Sequence, residues 1–255
     1  ALATNLLLEH SVGNTLSTEW LVDTITTINR TIHESAAESI ERRGMGTTIC
    51  ALSLIEPINN DEPQQIALAN VGDSRIYLSR AGKFRQLSVD HSYVQELVTE
   101  GLISEEEARV HPRRNIVTRA LGIDARVAVD TWIVPVFPGD RFILCSDGLV
   151  DEVPTADIAS LAGQQENPQV IADALVNLAK RNGGRDNITV VVVDAHGDSA
   201  VTSPHINTVQ PPAKRQANPW LVSAVIGFVL IATLFFVGKN ARSGYFLDFE
   251  NSSPS

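Results

Sequence analysis

Gly139-Asp140-Arg141-Phe142-Ile143-Leu144-Cys145-Ser146-Asp147-Gly148-Leu149-Val150-Asp151 is the stretch on which the fold of this chain turns. Phe142 to Cys145 is an unbroken apolar run, the pattern of a short strand covered on both faces. It delivers Ser146-Asp147-Gly148 at its carboxyl end. A carboxylate there must be hydrogen-bonded, paired with a charge or bound to a metal, because burying it bare is too costly. About forty residues on, Gly183-Gly184-Arg185-Asp186-Asn187 leads into the apolar run Ile188 to Val193. Two acids at the ends of two core strands, Asp147 and Asp186, suit a hard divalent cation that prefers oxygen ligands.

On the amino-terminal side the pattern is helix, then strands. Ser17 or Thr18 can cap a helix whose apolar stripe runs Leu21, Ile25, Ile28, Ile32, Ala36 and Ile40, ending near Arg42-Arg43-Gly44. Strands are expected over Thr47–Ile55, Gln65–Asn70, Ser74–Ser79 and Lys83–Leu87, joined by turns at Gly72-Asp73 and Arg80-Ala81-Gly82. Such a succession of short strands points to antiparallel pairing rather than βαβ units. Ser92–Thr99 and the segment after Ser104 read as short helices, with His111 to Asn115 as loop. Strands return at Ala128–Val134 and Arg141–Cys145, and helices open at Pro154-Thr155 and at Pro168, the second ending near Arg181. The fold class is therefore α+β in layers.

The formal net charge is -10 and 44% of residues are hydrophobic, enough for a substantial core. Four basic residues outweigh two acids after residue 200, so the acidity belongs to residues 1–200. That balance excludes non-specific nucleic-acid binding, which needs clustered Lys and Arg. The two cysteines, Cys50 and Cys145, lie in apolar stretches and offer no disulfide framework, which suits a reducing compartment.

Residues 196–219 carry Pro204, Pro211, Pro212 and Pro219 among polar residues and read as a linker. Residues 220–238, Trp220 to Gly238, contain no charged residue and match the length of a transmembrane helix, with Trp220 and Lys239 as interface anchors. Residues 239–255 form a short tail. Two basic residues flank the apolar segment on each side, so charge does not orient it.

Six motifs in order, Gly44-Met45-Gly46-Thr47-Thr48, Ala69-Asn70-Val71-Gly72-Asp73-Ser74-Arg75, Asp90-His91-Ser92, Thr118-Arg119-Ala120-Leu121-Gly122, Ser146-Asp147-Gly148-Leu149 and Gly184-Arg185-Asp186-Asn187, resemble the bacterial branch of the PP2C-type (PPM family) metal-dependent Ser/Thr protein phosphatases. The resemblance covers most of residues 1–195. It implies an antiparallel β-sandwich flanked by helices; the one transmembrane helix is read from residues 220–238, which the resemblance does not cover. It also implies a site for Mn²⁺ or Mg²⁺, two ions or three. Asp147 and Asp186 match metal ligands of the ion pair, and Asp90 matches a ligand of the third ion. His111, Arg113 and Arg114 fall in the segment matching the flap beside the active site and are candidates for substrate contact. Asp73 and Arg75 read as a structural turn and ion pair rather than direct catalysts.

The resemblance further implies a protein phosphatase that acts on phosphorylated Ser/Thr proteins, Ser/Thr protein kinases included. It would sit as a single-pass protein of the inner (plasma) membrane with its catalytic domain in the cytoplasm. The family's amino-terminal Asp-Gly-x-Gly-Gly-type motif is not found in the chain. The expectation is an amino-terminal truncation, with low stability or activity for this polypeptide as it stands. The alternative is a catalytically inactive phosphatase-like module that binds partners at the membrane; a third reading is a metal-binding structural domain without phosphate specificity.

Overall fold

A computed structural model describes residues 17–55 and 63–196. The chain divides between Ser203 and Pro204 into two units, and every described residue belongs to the first. The apolar segment 220–238 lies outside the described residues. Among the described residues no helix is long and apolar enough to cross a membrane.

Helix α1 spans Thr18–Ala37, capped by Ser17, whose hydroxyl accepts from the Trp20 amide at 3.1 Å. Such a cap contributes about 1 kcal/mol. Leu21, Ile25, Ile28, Ile32 and Ala36 form the expected buried stripe. The helix ends sooner than the periodicity suggests. Glu38 closes it through its amide to the Glu34 carbonyl, Ser39 is extended, and Ile40–Arg42 make a separate 3₁₀ turn. Ile40 is thereby turned into solvent at 84% exposure and leaves the stripe.

Strands β1 (Ile49–Ile55), β2 (Gln65–Val71) and β5 (Asp130–Pro135) form one sheet in the order β1-β2-β5. Strands β3 (Arg75–Arg80), β4 (Lys83–Gln86), β6 (Arg141–Cys145) and β7 (Val190–Asp194) form the other, ordered β4-β3-β6-β7. Every pairing is antiparallel. The strands thus match expectation to within a residue or two at their ends. Alternation of side chains then builds the layers. Ile66 and Leu68 of β2, Ile76 and Leu78 of β3, and Phe142 and Leu144 of β6 meet between the sheets. The opposite face of β2, with Ala67, Ala69 and Val71, receives α1.

Helices α2 (Tyr93–Thr99) and α3 (Glu105–Val110) follow β4, and a single turn α4 (Asp147–Val150) follows β6. Helices α5 (Thr155–Ala162) and α6 (Pro168–Asn182) cover the outer face of the four-stranded sheet, burying Tyr77, Ile143 and Cys145 against Ile158, Ile171 and Leu175. Strand β6 is buried along its whole length because both its faces are covered. The architecture is an α+β sandwich, with helices outside two antiparallel sheets.

Candidate active site

The site grows from the carboxyl end of β6. Ser146 leaves the strand and fixes the neighbouring loop. Its amide donates to the Thr189 carbonyl at 3.1 Å, and its hydroxyl donates to the Asn187 carbonyl and accepts from the Thr189 amide, both at 3.0 Å. Gly148 permits that closeness: a β-carbon there would overlap the Asn187 carbonyl oxygen. The Ser and Gly around Asp147 therefore hold the segment that carries Asp186. Glu152 secures the same segment from below, accepting from Arg185 Nε at 2.7 Å and from the Arg185 amide at 3.2 Å.

Asp147 Oδ1 accepts from the Gly148 amide at 2.9 Å, and Asp186 Oδ1 accepts from the Asn187 amide at 2.6 Å. Each carboxylate keeps its second oxygen open among the described residues. Burial raises the Asp147 pKa, and the nearby negative charge of Asp186 raises it further. Asp73, on the turn between β2 and β3, is pushed up to about 6, by burial first and then by the charges of Asp147 and Asp90. The turn is tight: a β-carbon on Gly72 would overlap the Thr48 side chain, so Gly72-Asp73 and Gly46-Thr47-Thr48 pack as one unit. Thr48 and Ser74 hydroxyls bond at 2.8 Å.

Ion pairing separates these acids from the buried ones. Asp90, Asp130, Asp140, Glu152 and Asp194 are each in an ion pair with an arginine. Among the described residues Asp73, Asp147 and Asp186 are in none. Asp73 and Asp147 line one cavity of about 830 Å³ together with Arg75, Asp90, Arg114 and Arg185. No group of three or more His, Cys, Asp or Glu side chains among the described residues is placed to hold a metal ion. A small hard cation does not need one: it holds one or two carboxylates and keeps several waters. Carboxylates that repel one another and lack a cationic partner are donors that fit such an ion.

The family described as Stage II sporulation protein E (SpoIIE) matches residues 4–196. A serine/threonine phosphatase stp of Listeria innocua is 42% identical over 175 residues, covering 69% of this chain and 67% of the relative. The solved structure of serine/threonine phosphatase Stp1 from Staphylococcus aureus shares 33% identity at TM-score 0.69, over 77% of this chain and 76% of that one. The catalytic domain of serine threonine protein phosphatase PstP, solved in complex with 2 manganese ions, shares 33% identity at TM-score 0.65, over 77% of this chain and 80% of that one. The chain belongs to the PP2C-type (PPM) family of Ser/Thr protein phosphatases.

Against this PP2C background the remaining candidates fall in different places. Asp90 is buried and held by Arg75, whose Nη2 lies 2.7 Å from Oδ2. The expected partnership of Asp73 with Arg75 is therefore replaced by Arg75 with Asp90. Of the flap candidates, Arg114 lines the cavity. His111 instead packs its ring 6.0 Å from that of Tyr93, and Arg113 lies 5.7 Å over the same ring. His91 is an interior clamp: its Nδ1 accepts from the Gly72 amide at 2.9 Å and its Nε2 faces Asp130 at 3.0 Å. Asp73 is the residue that sequence reasoning undervalued. The available signal was an acid on a turn at the carboxyl end of a very apolar strand, the same placement as Asp147.

Proposed function

We propose that this chain hydrolyses phosphoserine and phosphothreonine in proteins, with Asp147 and Asp186 holding Mn²⁺ or Mg²⁺ at the carboxyl end of β6. The observation that carries the reading is that Asp147 and Asp186 lie close enough for the charge of one to raise the pKa of the other while neither is in an ion pair among the described residues, whereas the buried acids Asp90, Asp140 and Glu152 each have an arginine. When bound, the metal supplies the acidity that makes water a nucleophile and the charge that steadies phosphoryl oxygens. The protein's part is positional. Ser146 and Gly148 fix the spacing of the two aspartates, Glu152 and Arg185 brace the loop, and Arg114 offers a cation across the cavity for the phosphopeptide. A thiol intermediate is disfavoured, since burial pushes the Cys145 pKa up to about 12.

The test is release of inorganic phosphate from a phosphothreonine peptide by the full chain, with Mn²⁺ and with chelator. Mn²⁺-dependent release that Asp147→Asn abolishes is expected. Release indifferent to chelator and to that substitution rejects the reading, and a Mn²⁺-loaded chain that releases none favours the inactive interaction module.

The likeness to bacterial Ser/Thr phosphatases supports Ser/Thr protein kinases as substrates among other phosphoproteins. The uncharged segment 220–238, with Trp220 and Lys239 at its ends, supports a single-pass anchor in the inner membrane, the catalytic domain facing the cytoplasm. Membranes washed with alkaline carbonate should retain the full chain and lose a form lacking 220–238. Equal release of both forms rejects the anchor.

A further inference from the structure

The cavity that holds Asp73 and Asp147 has a volume of about 830 Å³. That is far more than a phosphoryl group fills, and it lies in the range of sites that enclose whole small ligands, roughly 300–1,000 Å³. Besides the acids, its lining carries an apolar set. Val94 and Val98, one turn apart on the same face of α2, line it together with Ala108 of α3. Phe84, Val150 and Val153 line it from the main core, into which Val153 is fully buried and Phe84 and Val150 only in part. Helices α2 and α3 carry no fully buried side chain at all, so their apolar face is left half open on the cavity. This wall is preformed: the Tyr93 amide donates to the Ile116 carbonyl at 2.9 Å, and Ser104 with Glu107 closes a capping box on α3.

We propose that this apolar set is a side-chain subsite, which receives an apolar residue of the substrate peptide flanking the phosphorylated Ser or Thr. The chain then selects phosphopeptides with Leu, Ile or Met at that position over those with Ala or Glu. Continuity identifies the occupant: the subsite and Asp147 share one cavity, so a peptide that brings its phosphate to Asp147 brings its neighbouring residues to Val98 and Ala108. Apolar surface left half open gains free energy when an apolar side chain displaces its water. One such side chain, held in a preformed pocket, is worth about tenfold or more in kcat/KM. The inference rests on the proposed phosphatase reading for the identity of the peptide.

The test offers the full chain, with Mn²⁺, a set of phosphothreonine peptides in which a single Leu replaces Ala at successive positions on either side of the phosphate. Leu at one position, or at two neighbouring ones, should raise kcat/KM about tenfold, and Glu there should not. Val98→Ser weakens the subsite and Ala108→Leu fills it, so each should remove the preference for Leu over Ala; a ratio of two peptides cancels any general loss of activity. A flat position scan or a preference for Glu overturns the proposal, as does a preference that both folded variants leave unchanged. Should a variant not fold by circular dichroism, the scan with the unsubstituted chain still decides. Failure of the phosphatase reading looks different, since no peptide then releases phosphate. In that case the Leu and Ala peptides, labelled with fluorescein, are compared by anisotropy: the Leu peptide should bind about tenfold more tightly, and equal binding, or none, overturns the proposal.

Discussion

Strands β3 and β6 run antiparallel side by side, and their two ends handle charge in opposite ways. At one end Arg80 donates to both oxygens of Asp140 at 2.6 Å, and to the Pro135 carbonyl at 2.7 Å. The Phe137 amide also donates to Asp140, and Arg141 beside it pairs with Asp194 and reaches the carbonyls of Ala162, Gln164 and Glu166. Arg80, Asp140, Arg141 and Asp194 are each neutralised and bonded, as buried charges require. At the other end Asp147 is close to both Asp73 and Asp186, each pair repelling, and none of the three is in an ion pair among the described residues. Arg75 is close by, but Asp90 occupies it. The first end contributes stability and offers nothing to a ligand. The second gives up stability and is left with a demand for positive charge.

The sharpest way to break this contrast is to unpair the closed end. Asp140→Ala leaves the Arg80 guanidinium buried without its partner, which should cost about 3–5 kcal/mol in urea unfolding. A loss below ~1 kcal/mol would mean that the two ends are not different in kind. Asp147→Asn should do the reverse: unfolding is little changed, and Mn²⁺-dependent phosphate release falls about 100-fold or more. A matching loss of stability would make Asp147 a structural acid instead.

Gly148→Ala probes how the open end is held together. Its new methyl must push the Asn187 carbonyl away, and overpacking of this kind costs about 1–3 kcal/mol. It should also weaken Mn²⁺ binding, because Asp186 moves with that carbonyl; unchanged affinity would uncouple the two segments. The smallest expected effect is a pH slope. The Asp73 pKa is raised in the folded chain, so its ionised form is a liability at neutral pH. Stability of the metal-free chain should therefore rise as pH falls from about 6 toward 4, as the native state takes up a proton first. The gain is ~1 kcal/mol at most for so partly exposed a group. Asp73→Asn should reduce the slope to the part that Asp147, also raised, contributes, and an unchanged slope assigns it to other groups.

Much of this was legible in the sequence because it depends on local pattern. Apolar runs with an acid at the exit mark β6 and the loop before β7, and a three-to-four spacing marks α1. What was not legible depends on which strands become neighbours. Arg80 and Asp140 lie far apart in the chain and meet only because β3 pairs with β6. The same holds for Arg75, whose choice of Asp90 over Asp73 is settled by the path of the chain after β4. The role of Gly148 needs the position of a carbonyl beyond α6. Ile40 misled for a different reason, since periodicity carries no record of where a helix is capped.

Calorimetric titration of the full chain with Mn²⁺ in detergent, beside Asp147→Asn, tests the central claim most directly. The account predicts heat of binding for the unsubstituted chain and its loss in the variant, with both folded. Equal binding by the two would show that the unpaired acids at the end of β6 are not the metal site.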